Sequence, residues 1–416
     1  MGKKKRYSVL IIPLLVLFFG MAPVNANIFV QCPGDTDGDG ISDDPNIVCT
    51  HFSAGDGFVR YANTTLDRNN DGVIDAADKD AYIFSFGRVA PGLPVGEVVA
   101  EQTLKQRTPG PLVVLKQDQD LYLTLTNVGM IMRPDLFDTH SLHWHGFANA
   151  AVVFDGVPEN SLSPVMAASL TYYYKAAVPG TYFYHCHVEA TEHMQMGMIG
   201  NIWIEPSQDG TPLGGFTKFA YNDGDGSTGY DVVYPIQFFG IDSAFHDAHL
   251  AVQPLPFAAM FDDYAMINGR SYPDTINNDD IQNLNGFAAQ PASDTFVAQL
   301  GTEFTMDYTG IAATSGQSVL LRISNVSTTH QYDIATTLGV PMRVVGRDAA
   351  LLRGPDGDDT SWQATILRVA PGQHYDVILN TTGVLPGTYF LYTTNLSVLS
   401  NGLEERGGLM TEIKIN

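Results

Sequence analysis

The chain has 416 residues, with 45 Asp and Glu against 22 Lys and Arg, for a formal charge of −23. An acidic surface of this kind disfavours nucleic acid and anionic membranes and favours cations or basic partners. Hydrophobic residues make up 44% and charged residues only 16%, which describes a packed globular chain of two or three domains rather than a disordered one.

Taken in order, the first residues read as an export signal. Lys3, Lys4, Lys5 and Arg6 form a basic start, Tyr7 to Met21 is apolar, and Val24-Asn25-Ala26 is a small-residue cleavage site. Residues 1–26 are therefore expected to be a signal peptide, with the mature chain secreted or periplasmic. The apolar run is short for a membrane span, and no other stretch is long enough to be one.

Two acidic loops follow. In the stretch 67–78, Asp67, Asn69, Asp71, Asp75 and Asp78 fall at positions 1, 3, 5, 9 and 12 of a calcium loop, with Gly72 at the turn. The closing aspartate resembles that of a dockerin-type loop, and a scaffold-bound module is one reading. Asp35, Asp37 and Asp39 are a weaker candidate set; for both loops the bland alternative is a solvated acidic linker. Cys32 and Cys49 bracket the first loop, and in an exported chain such a pair is expected to form a disulfide. That leaves Cys186 unpaired. Strands are expected at His51-Phe52, at 58–61 and at 82–86. Leu121 to Asn127 alternates as a half-buried strand does.

The informative stretches are His140-Ser141-Leu142-His143-Trp144-His145-Gly146 and His185-Cys186-His187, the latter preceded by the strand-like Gly180-Thr181-Tyr182-Phe183-Tyr184. Side chains alternate along a strand. His140 then shares a face with Trp144, while His143 and His145 share the other; Cys186 likewise points away from His185 and His187. The parity predicts two metal sites back to back. His140, Cys186, His193 and Met198 have the two imidazoles, thiolate and weak axial thioether of a type 1 copper site. His143, His145, His185 and His187 would line a second copper site. The competing reading is a set of core histidines around a buried thiol.

His143-Trp144-His145-Gly146, Asp155-Gly156-Val157-Pro158 and 179–187 together resemble the first cupredoxin domain of multicopper oxidases, of the two-domain type with blue copper in domain one. The loop Val188 to Glu192 is longer than the family's usual spacing. Met266-Ile267-Asn268-Gly269, 319–325 and 369–377 resemble the copper-free middle domain of three-domain members. The resemblance implies an all-β fold of two cupredoxin (Greek-key β-sandwich) domains with an N-terminal calcium-loop insertion. Its parts would be the calcium-loop region with the first strands (27–87), a copper-binding domain (88–206), a linker (207–229) and a second domain without type 1 copper (230–416).

It also implies a copper oxidoreductase. An electron from a small-molecule or metal-ion donor would enter at type 1 copper through an exposed His193 and pass by Cys186 to His185 or His187. Oxygen would be reduced at the second site. Asp155 resembles the family's proton-relaying carboxylate, or is simply the first residue of an Asp-Gly turn. The oxygen-reducing cluster of the family takes eight histidines from two domains, and this chain supplies four. The remainder would come across the boundary of a homotrimer, with His330 the candidate. His246 and His249, spaced i, i+3, would bind metal if helical, or are plain polar residues; His51 and His374 carry no expected role. The alternatives are a trimeric enzyme resembling copper nitrite reductases, with His330 as third ligand, or an electron-transfer protein without catalysis.

Overall fold

The computed structural model describes residues 31–62, 67, 71–147, 151–283, 286–299, 302–401 and 404–416. The expected signal peptide and Asn69 lie outside the described residues.

Two β-sandwiches follow one another, as the all-β expectation requires. In the first, β1 (Ile47–Arg60) and β2 (Asp80–Arg88) are long, almost wholly buried strands. They flank the acidic loop and the short helix α1 (Ala76–Lys79). After α2 (Val95–Gln102) come β3 (Gly110–Lys116), β4 (Asp120–Gly129), β5 (His143–His145), β6 (Ser169–Lys175) and β7 (Gly180–His185). Helix α3 (Ala190–Gln195) and β8 (Ile199–Glu205) complete the domain. The sheet order is β2-β1-β4-β6 in one layer and β3-β8-β7-β5 in the other. Aromatic side chains fill the space between, Phe52, Phe84, Trp144, Tyr172 and Tyr184 among them. Burying side chains of this size is the main stabilising contribution, at roughly 25 cal/mol per Å² of apolar surface.

The second sandwich opens with β9 (Val232–Ile241), α4 (Ser243–Leu250) and β10 (Tyr264–Ile267). Its larger sheet runs β10, β9, Ser318–Asn325, His374–Asn380, Met342–Arg347. The facing sheet is built from Ile311–Ala313, Met410–Ile415, Gly387–Thr393, Tyr332–Thr336 and Ile366–Val369. A separate core of aliphatic residues, Val319, Leu321, Ile323, Val377 and Leu379 among them, lies between the layers.

The sandwiches are joined by buried contacts and not merely by chain. Phe183 and Ile199 of the first share one apolar cluster with Phe239, Ile241, Tyr264 and Met266 of the second. The hairpin Ser293–Gln299 and Thr302–Asp307 reaches back over domain one. Its Asp294, buried, accepts from Arg88 at 3.1 Å, from Arg107 at 2.7 Å and from the Leu112 N–H at 2.7 Å. Asp376 likewise accepts from Thr181 of the first sandwich and from Arg322 of its own, so each buried carboxylate at the interface is paired there. The stretch 207–229 is not a loose tether: Tyr221 is buried and donates to Asp376 at 2.5 Å.

Candidate metal centre

Strand β5 pairs antiparallel with β7, setting His143 opposite His185, Trp144 opposite Tyr184 and His145 opposite Phe183. This register puts His143, His145 and His185 on one face, and their ligand-capable atoms all lie within 4.8 Å of one another. The His187 ring centroid is 5.1 Å from that of His143 and 5.6 Å from that of His185. Trp144 points the other way into the core, stacked on Tyr174 at 4.1 Å.

Three of these imidazoles, His143, His185 and His145, are oriented by a further contact. His143 Nδ1 lies 2.6 Å from the Asp155 carbonyl, and His185 Nδ1 lies 2.9 Å from the Cys186 carbonyl. A carbonyl only accepts, so both Nδ1 atoms carry the proton and both Nε2 atoms are left free for a metal. His145 stacks on Phe183 at 4.5 Å. Burial drives His185 down to about 3 and lowers His145, where His143 adds to the effect. Neutral imidazole is the form that ligates.

On the far side of the strand, His140, Cys186 and His193 form a second triad, again with ligand atoms within 4.8 Å and all three buried. The Cys186 thiol is free, 3.2 Å from His193 Nδ1, and accepts from the Ser141 N–H at 3.4 Å. The His140 and His193 rings sit 5.2 Å apart. Burial, with His193 nearby, holds His140 well below its ordinary value. Burial also opposes a charge on His193, but the Cys186 thiolate and Asp138 outweigh it and lift that ring to about 10. Met198 is brought to the same place by its main chain: its carbonyl accepts from Cys186 N–H at 3.1 Å, and its N–H donates to the His193 carbonyl at 2.9 Å.

Whether these residues suit copper is answered by their unmet polar atoms. Both ring nitrogens of His140 and Nε2 of His193 are buried without a hydrogen-bond partner. Buried polar atoms are rarely left so, and here they surround a thiol. A thiolate with two imidazoles, beside a methionine tied by its main chain to Cys186 and His193, is the donor set that selects copper. The residues fit the metal.

One expectation is corrected. His193 is not exposed; it is 0% accessible, roofed by Asp138, whose carboxylate lies 3.8 Å from Nε2. The long loop after Cys186 forms α3, and that helix packs the ring inward. Asp155 caps the short helical turn Val152–Phe154, with its carboxylate 3.5 Å from His143 Nδ1. His330 is apart from both triads, hydrogen-bonded to Thr329 at 2.9 Å and packed on Phe261. His246 and His249 are helical, on α4, and their nitrogens are engaged by protein groups. His51 contacts Thr126 at 2.7 Å.

His374, given no role from sequence, turns out to abut the histidine face. Its Nε2 lies 3.7 Å from where a side chain at Gly146 would begin, and its ring is 5.8 Å from Phe183. Burial takes it to about 4 in spite of Asp348 and Asp376. Asp138 was also missed. Nothing in spacing marks a carboxylate two residues before a ligand.

Among the acidic residues, Asp35, Asp37 and Asp39 converge within 4.8 Å, and the Cys32–Cys49 disulfide closes the loop above them. Asp67 accepts from the Asp71 and Gly72 N–H groups, and Asp78, buried, accepts from the Asp75 N–H at 2.9 Å.

Comparison with known proteins agrees with this architecture. Residues 94–209 and 247–411 each match a sequence profile described as multicopper oxidase. The chain belongs to the multicopper oxidase family. A laccase of Ustilaginoidea virens is 33% identical over 103 residues, which is 24% of this chain and 14% of that protein. A multicopper oxidase of Gibberella zeae is 32% identical over 127 residues, 29% of this chain and 17% of that one. The match thus spans less than a fifth of either relative's length. The blue copper oxidase of Nitrosomonas europaea superposes with a TM-score of 0.61 at 22% identity, covering 89% of this chain and 86% of that one. The copper nitrite reductase of the same organism gives 0.53 at 14%, covering 89% and 94%.

Proposed function

We propose that this chain is an exported copper-dependent oxidoreductase that takes electrons from a small-molecule or metal-ion donor and reduces oxygen. The observation that carries this reading is the pair of histidine clusters on opposite faces of one strand, meeting at His185-Cys186. His140, Cys186, His193 and Met198 would hold one copper, and His143, His145, His185 and His187 would hold the other. Bound there, copper supplies one-electron redox chemistry that side chains alone lack.

The chain's own residues set the conditions for it. Cys186 and His185 are adjacent, and the Cys186 carbonyl accepts from His185 Nδ1, so the two faces share one peptide unit and one hydrogen bond. Phe183, stacked on His145, and Trp144, packed into the core on the opposite side of the strands, are buried and keep water from the backbone that joins the faces. Asp155 is partly exposed and its carboxylate lies 3.5 Å from His143 Nδ1, between the cluster and solvent, where it would relay protons in this reading. Export is supported by the disulfide, since such bonds persist in oxidising compartments. No helix among the described residues is long and apolar enough to cross a membrane.

A homotrimer completes the second site in this reading, with His330 of one copy approaching the histidine face of the next. Two exposed apolar groups favour it: Val152 and Val153 beside Asp155, and Phe261 packed on His330. A surface of one kind meeting a different surface closes into a ring when the rotation between copies closes. The test is copper count, spin count and mass on one preparation, with oxygen uptake measured beside a phenol or ferrous iron. Two or more coppers per chain, one of them type 1, in a three-chain particle that consumes oxygen is the expected result. A monomer with one copper and no uptake would leave only electron transfer. The superposition with a nitrite reductase keeps nitrite as a second acceptor to assay.

Both acidic loops are proposed to bind calcium, the first through Asp35, Asp37 and Asp39, the second through Asp67, Asn69, Asp71, Asp75 and Asp78. A cation bound only by the folded chain adds about 2.7 kcal/mol at a hundred times its dissociation constant. Chelator is expected to lower the thermal midpoint while the blue absorbance persists below it. Asp71→Ala should remove most of that shift and Asp39→Ala less. An unchanged midpoint in excess chelator returns both loops to solvated turns.

A further inference from the structure

The helix that carries His193 is too short to hold its own shape. Helix α3 has six residues, against the dozen or more that an isolated helix needs. It is entered through Glu189 at φ 45° and ψ 49°, left-handed backbone that a residue with a side chain adopts only at some cost. Its position is therefore decided by what it touches. Domain one holds the far end: Phe84 N–H donates to the Met196 carbonyl at 3.0 Å, and Ser85 donates to the Gly197 carbonyl at 2.7 Å.

The other face of α3 belongs to domain two. Glu192 and Gln195, one turn apart, both point at it. Glu192 Oε1 meets His249 Nε2 at 2.8 Å. The Gln195 side chain donates to Asp262 at 3.2 Å and accepts from Thr328 at 2.5 Å, and the Gln195 carbonyl meets His246 Nε2 at 3.0 Å. Asp262, Thr328, His246 and His249 all come from the second sandwich, the two histidines from α4.

His249 is the most committed of these. Arg133 of domain one lies 2.8 Å from its Nδ1, and a guanidinium only donates. Nδ1 is therefore the acceptor, and Nε2 carries the proton given to Glu192. Arg133 is itself fixed by a two-pronged pair with Asp135 at 2.9 and 2.7 Å. The His249 ring also meets Phe84 edge-on at 4.6 Å, and Phe84 meets His193 edge-on at 5.7 Å. His249 thus reaches His193 from two directions, through Glu192 along the helix and through the Phe84 ring.

We propose that His249 is a positioning residue for the Cys186 site: domain two, which supplies no ligand to that site, sets the orientation of His193 through His249, Glu192 and Phe84. The inference rests on the reading of His140, Cys186, His193 and Met198 as a type 1 copper site. In families where the groups behind a ligand have been removed, metal affinity or activity falls by about 10–100-fold. Loosening an imidazole weakens copper(II) more than copper(I), because thiolate and thioether suit the reduced ion. A tenfold loss on the oxidised side alone raises a one-electron potential by about 59 mV.

The test uses the full copper-loaded chain and three variants. His249→Ala removes the contact, His249→Gln retains an N–H donor, and Glu192→Leu, which has no acceptor, cuts the same link from domain one while filling the space. The readouts are the reduction potential, the copper hyperfine splitting and the rate of copper loss to a chelator. His249→Ala and Glu192→Leu should each raise the potential, change the splitting and speed copper loss about tenfold or more, with His249→Gln falling between them and the parent. If His249→Ala does not fold, Glu192→Leu carries the test. A blue parent whose variants keep its potential and splitting, even with a lower melting point, would overturn the positioning role and leave the copper reading standing. A parent with no type 1 signal would overturn both.

Discussion

Cys186→Ser is expected to turn the copper-loaded protein colourless and to erase the narrow-hyperfine resonance of a type 1 site. Only the thiolate of Cys186 provides the charge-transfer absorbance, and serine leaves a harder oxygen in the same place. The chain should still fold, because the exchange is nearly isosteric and the pocket already contains polar atoms: the Ser141 N–H at 3.4 Å and His193 Nδ1 at 3.2 Å. Met198→Leu is the companion measurement. It should keep the colour and raise the potential, since it removes a weak axial donor and not a strong one. A Cys186→Ser protein that remains blue would rule out the site as drawn.

The second large effect is expected from His143→Ala. Oxygen uptake should fall by a hundredfold or more, since the loss of a ligand exceeds the about 10–100-fold typical of a ligand's supporting group. The blue absorbance should stay. The physical reason is the register of β5 on β7: His143 faces His185 on one side, while Trp144 packs into the core on the other and separates the substituted position from His140. An unaltered uptake rate in His143→Ala would remove this cluster from the reaction.

What could be read from the chain alone was what strand periodicity encodes. Histidines at 143 and 145, with His185 and Cys186 on either side of a strand end, must face as they do once both segments are extended, and β5 and β7 pair to bring them together. The bracketing cysteines at 32 and 49 were legible for a similar reason, being close in sequence and in an exported context. What stayed hidden was set by packing between distant segments. His193 was expected at the surface, but α3 turns it inward and Asp138 covers it. His374 looked ordinary because its only link to the histidine face is the docking of one sandwich on the other, which puts it next to Gly146. His246 and His249 showed the i, i+3 spacing of a helical ligand pair, and they are helical, yet their nitrogens meet main-chain and side-chain groups of domain one. Spacing shows which residues share a face, and only tertiary contact shows what that face meets.

The hairpin that delivers Asp294 to Arg88 and Arg107 bears on how this chain can be divided. Cut at 207–229, the first sandwich would keep two guanidinium groups that had been buried against a carboxylate, and it would expose Phe183 and Ile199. Removing one partner from a buried pair of this kind costs about 3–5 kcal/mol, a large share of the 5–15 kcal/mol that holds an ordinary domain folded. The two sandwiches are separate in architecture but are expected to melt as one cooperative unit. A recombinant fragment carrying every ligand to both clusters would still lack what keeps it folded.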